Sequence, residues 1–76
     1  METRPVMNDN YTAVIKQVDD CWIGWIEEVP GVNCQESSRE ELVESLRDTL
    51  REALEFNRRD ALEAAGDGYD EQPIAV

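Results

Sequence analysis

The sequence predicts an α+β fold of order β-β-β-α-β, a small antiparallel sheet covered on one face by one long amphipathic helix. Three observations predict it. Short runs rich in β-branched and aromatic residues fill the first half, separated by turn signals. A capped stretch with apolar residues at 3.6-residue spacing fills the second half. The chain has 76 residues, room for one domain with a thin core.

Residues 1–10 lack periodicity and carry Pro5, so they are expected to form a loose leader, with the domain itself over residues 11–76. Residues 11–18, Tyr-Thr-Ala-Val-Ile-Lys-Gln-Val, are too short for a helix and suit a strand. Asp19-Asp20 marks a tight hairpin turn. Residues 21–29 form the second expected strand, which Pro30-Gly31 ends because proline lacks a ladder donor and glycine permits the turn. Residues 32–35 make a short third strand. Ser38 with Glu41 then fits a capping box, in which hydroxyl and carboxylate each satisfy one orphan backbone N–H. Glu40, Glu41 and Glu44 place negative charge where the helix dipole favours it.

Leu42, Val43, Leu46, Leu50, Ala53, Leu54 and Phe56 fall on one side of that helix. The stripe then degrades, because Asn57 and Asp60 enter the apolar arc and Leu62 leaves it. A helix from residue 39 to 65 spans about 40 Å at ~1.5 Å per residue. An eight-residue strand spans only about 26 Å at ~3.3 Å per residue. The last turns must overhang the sheet or break near Asn57. Ala65-Gly66 supplies a stop. Residues 67–72 form an acidic loop, and Pro73-Ile-Ala-Val76 is expected to return as a short edge strand.

Composition narrows function. Eighteen Asp and Glu against seven Lys and Arg give a net charge of −11. Such a field repels nucleic-acid backbones and speeds encounter with basic partners. No apolar run approaches a membrane span, and the first ten residues do not resemble a signal peptide, so a cytoplasmic protein is expected. The two cysteines, Cys21 and Cys34, fall in expected strands and are read as reduced packing residues. The chain has no histidine, which leaves the thiols without an activating base and makes a zinc site improbable. Asp19, Asp20, Glu27 and Glu28 are better explained as solvated turn residues than as a two-metal nuclease cluster. Neither a catalytic residue, a metal site nor a cofactor is expected. Arg51 with Glu55 and Glu55 with Arg59 are spaced to support the helix. The rival reading of Arg47, Arg51, Arg58 and Arg59 as a basic stripe is opposed by interleaved carboxylates.

The second strand points to a partner. Cys21, Ile23 and Trp25 share one face, and Trp22, Gly24 and Ile26 share the other. Both are apolar, yet one helix covers only one face. The uncovered face must meet the termini, a second copy or another protein. The expected contact residues are Trp22, Gly24 and Ile26, with Glu27 and Glu28 at the strand end.

Several segments in order resemble the HicB family of antitoxins: Tyr11, Ala13 and Ile15, the acidic hairpin, Trp22 and Ile23, Glu28-Val29-Pro30-Gly31, and Ser37-Ser38-Arg39-Glu40-Glu41. The tail from Pro73 to Val76 is similar to the closing strand of short members. Departures are Glu27 where proline is common, and Asp19-Asp20 and Glu36 where glycine is common. The resemblance implies a partial RNase H-like fold. It also implies an antitoxin that binds and masks HicA, a small basic ribonuclease toxin; self-association is expected from the thin core and the uncovered strand face. Longer members append a DNA-binding domain, for which these residues leave no room. The alternative is an orphan HicB-like oligomeric scaffold or regulatory module without a toxin partner.

Overall fold

The computed structural model describes residues 10–75; the expected leader thus lies almost wholly outside the described residues. Three strands precede one helix: β1 Ala13–Val18, β2 Cys21–Ile26, β3 Asn33–Glu36 and α1 Arg39–Ala65. The strands form an antiparallel sheet in the order β1-β2-β3. The predicted α+β class with β-β-β-α order is therefore present.

Val18 pairs with Cys21 across the two-residue Asp19-Asp20 turn, where Asp19 has φ 56°. β1 begins two residues later than expected, although the Glu27 amide still donates to the Thr12 carbonyl at 2.9 Å. β2 ends three residues early. Beyond Ile26 the chain folds into a turn: the Val29 amide donates to the Ile26 carbonyl at 3.4 Å, and the Val32 amide donates to the Val29 carbonyl at 3.4 Å. Gly31 completes the turn at φ +94°, a conformation open to glycine without a steric penalty. The turn brings Val32 into the core, and its carbonyl accepts from the Ile26 amide at 3.1 Å.

Cross-strand partners point to the same face, so the register assigns every side chain. Ile15, Gly24 and Cys34 stand in one row, as do Gln17, Trp22 and Glu36. This face receives the helix. An added Cβ on Gly24 would lie 3.0 Å from Leu46 Cδ1 and 3.1 Å from Leu42 Cδ2. Glycine is thus required for the close approach of helix to sheet. Ile26, Val32, Leu42 and Leu46 are the buried core, with Ile15, Trp22, Val29, Cys34, Leu50 and Ala53 packed around it. Two side-chain bonds tie the helix to β3: Ser45 Oγ donates to Glu36 Oε2 at 2.5 Å, and Cys34 Sγ lies 3.5 Å from Thr49 Oγ1.

Ser38 caps α1 as expected, its Oγ accepting from the Glu41 amide at 3.1 Å. The reciprocal half of the capping box differs. Glu41 Oε1 accepts from Ser37 Oγ at 2.7 Å, because Ser37 offers a hydroxyl within reach of the same carboxylate. The helix runs through Asn57 without a break and overhangs the sheet, leaving Phe56 63% exposed. The Gly66 amide donates to the Leu62 carbonyl at its end.

Among the described residues the expected closing strand is not formed. Residues 73–75 carry no strand pairing and Ile74 is 79% exposed, while Val76 lies outside the described residues. Arg58 Nη2 meets Glu71 Oε2 at 3.4 Å. Arg58 lies about 160° around the helix from Leu42 at 100° per residue, so this contact is made on the outer side of the helix, away from the sheet.

Candidate functional site

Among the described residues no helix lies on the other sheet face. It presents Val14, Lys16 and Val18 from β1, Cys21, Ile23 and Trp25 from β2, and Asn33 and Gln35 from β3, by the register Val14↔Trp25↔Asn33 and Lys16↔Ile23↔Gln35. Trp25 is 41% exposed and Val18 40%. Gln35 Nε2 donates to Cys21 Sγ at 3.3 Å across the same surface. None of these eight side chains is a carboxylate. The Asp19-Asp20 hairpin bounds one end of β2 and Glu27-Glu28 the other, all four residues exposed. The result is an apolar patch between two acidic turns.

The sequence-based assignment of faces needs correction here. Trp22, Gly24 and Ile26 lie on the helix-covered side, where Gly24 and Ile26 are buried and Trp22 packs against the core. The uncovered face belongs to Cys21, Ile23 and Trp25. Glu27 and Glu28 keep their place at the strand end. Glu28 also has a local partner, accepting from the Thr12 backbone amide at 2.8 Å. That amide, helped by the Thr12 side chain, holds the Glu28 carboxyl below its ordinary value.

Val14, Lys16 and Val18 were missed by inspection of β2 alone. Gly24 was the available signal, since an interior strand glycine marks where another element approaches closely. It identifies its own face as the covered one, and the register then supplies the β1 residues opposite.

Two other features bear on chemistry. Cys21 and Cys34 are free thiols on opposite faces of the sheet, which prevents pairing within the chain. Arg47, Arg51, Arg58 and Arg59 each meet a carboxylate: Glu44 at 3.5 Å, Asp48 at 3.1 Å, Glu71 at 3.4 Å and Glu55 at 3.7 Å. Arg51 chooses Asp48 one turn back and not Glu55, which Arg59 holds. A basic stripe for nucleic acid is thus neutralised along its length. Among the described residues no group of three His, Cys, Asp or Glu side chains is placed to hold a metal ion, and no helix is long and apolar enough to cross a membrane. No family model, curated protein or solved structure matches this chain.

Proposed function

We propose that this chain is a non-catalytic protein-binding module that masks a small basic ribonuclease, as its resemblance to HicB antitoxins implies. One observation carries the proposal: a sheet face that no described element covers, with Ile23 in its middle row, exposed Trp25 beside it on the central strand, and acidic turns at both ends. An apolar centre with a charged rim is the usual anatomy of a protein interface. Burying Trp25, Ile23 and the β1 valines supplies affinity, because aromatic anchors dominate binding energy. The acidic rim and the −11 charge steer a basic partner and oppose acidic ones. A ribonuclease surface that grips RNA is basic, so the same surface suits this rim, and occupying it excludes the substrate.

Recovery of the tagged chain from its native cells, followed by mass measurement, identifies the bound species. The expected product is a stoichiometric complex with a small basic protein that cleaves RNA when separated and does not when recombined. Trp25→Glu should weaken recombination at least tenfold without loss of helix content. A co-purified pair that neither reassociates nor changes RNA degradation excludes masking.

A further inference from the structure

We propose that β1 is also an interface between two copies of this chain, paired antiparallel about a two-fold axis at Ile15 into one six-stranded sheet. This inference does not depend on the ribonuclease proposal, and it uses the edge of the sheet, not its open face.

The backbone defines the edge. The Glu27 amide donates to the Thr12 carbonyl, which fixes Thr12 as a hydrogen-bonded position facing β2. Alternation along the register then directs Val14, Lys16 and Val18 toward β2. Ala13, Ile15 and Gln17 turn their N–H and C=O groups the other way. Among the described residues no strand lies beyond β1. An exposed strand edge is a template for another strand unless proline, a bulge or clustered charge blocks it. β1 has six residues, an unbroken register, no proline and a single charge at Lys16, whose side chain stands on the open face.

The local composition of this edge admits a second copy, although the net charge of −11 opposes close approach of two copies elsewhere. Nearly a quarter of the chain is acidic, yet residues 10–18 contain no Asp or Glu. Two molecules of charge −11 can approach closely only where neither presents carboxylates. Pairing about Ile15 sets Ala13 against the second copy's Gln17 and Val14 against its Lys16. Asp19 then falls opposite Tyr11, and Asp20 opposite Asn10, so no carboxylate meets a carboxylate and no lysine meets a lysine. Three facing pairs that each exchange two bonds give about six main-chain hydrogen bonds. The opposite edge is a poorer candidate, since β3 offers four residues and ends on Glu36.

The helix side adds apolar surface. A groove of about 410 Å³ runs beside β1, lined in part by Tyr11, Ala13, Ile26, Leu46 and Leu50. Edge pairing places the two Ile15 side chains together on this side and joins the two grooves across the axis. On the other side it joins two open faces, so a dimer carries two Trp25 patches on one surface.

The test combines sedimentation with residue-resolved hydrogen exchange on the whole chain. The wild type should sediment as a dimer, with the Ala13, Ile15 and Gln17 amides protected at high concentration and released on dilution. The double variant Ala13→Pro, Gln17→Pro removes two outward N–H groups that β2 does not use. It should keep its helix signal and raise the dimer dissociation constant at least tenfold. A wild type that stays monomeric at high protein concentration overturns the proposal. So does a dimer in which those three amides exchange freely, which moves the contact to the Trp25 face or elsewhere. If the proline variant fails to fold, the wild-type exchange pattern decides alone.

Discussion

Gly24 is the residue on which both faces of the sheet depend. A Cβ there would stand 3.0 Å from the backbone carbonyl oxygen of Val14 and equally close to Leu46 Cδ1. Leucine methyls can shift, but the carbonyl belongs to the ladder. Gly24→Ala is therefore expected to destabilise the fold by about 1–3 kcal/mol, as overpacked cores do, read as a lower urea midpoint. The same glycine shows what was legible in the sequence. The alternation of β2 and the surplus of apolar surface were visible in Cys21 to Ile26. Which face the helix takes was missed, because each face carries one tryptophan and a count of apolar residues does not separate them; only Gly24 does, since it alone permits the close contact. Glu28 gives a second test at this scale. Its bond from the Thr12 amide favours the charged form, so its folded pKa lies below the ordinary value of 4.5. A depressed carboxyl contributes stability that is present above the unfolded pKa and is lost as pH falls through the folded one. The Thr12 amide proton should shift with a midpoint below 4.5 in an NMR titration. Glu28→Gln should abolish that transition; an unchanged Thr12 profile would assign it to another group.

At the scale of elements, periodicity identified three strands and one helix, and physical context moved their ends. β2 stops at Ile26 because the following residues bond among themselves and carry Val29 and Val32 inward. The helix was expected either to break near Asn57 or to overhang. It overhangs, since Asn57 and Asp60 have modest helix propensities but neither blocks a backbone bond as proline would. The tail was misread for a different reason: a short apolar run becomes a strand only where it reaches a partner edge, and that non-local pairing, which no local pattern encodes, is not made among the described residues. Phe56 makes the consequence measurable. It lies on the apolar arc yet beyond the sheet, 63% exposed, whereas Leu46, ten residues earlier, is 2% exposed. Phe56→Ser should change stability by less than about 0.5 kcal/mol, the range of surface substitutions. Leu46→Ala should cost about 2–5 kcal/mol, typical of a buried leucine. Chemical denaturation of the two variants separates a supporting end of the helix from an overhanging one.

At the scale of the molecule, four buried side chains carry the core among the described residues, while the chain has eleven unbalanced negative charges. The arginines of α1 offset little of this. Their ion pairs have both partners more than half exposed, and such pairs contribute about 0–1 kcal/mol each. Self-repulsion of the remaining charge acts over the whole surface and is screened progressively as the Debye length falls from about 30 Å at 0.01 M salt to about 10 Å at 0.1 M. Repulsion therefore outweighs the local pairs, and added sodium chloride should raise the thermal midpoint of the isolated chain. Association with a basic partner has the opposite dependence, because the same field speeds encounter and salt removes it. Thermal melts and stopped-flow association, followed by tryptophan fluorescence over one salt series, should give slopes of opposite sign. A midpoint that falls with salt would mean that local pairing holds the fold. An association rate indifferent to salt would remove the acidic rim from recognition and leave the apolar patch to act alone.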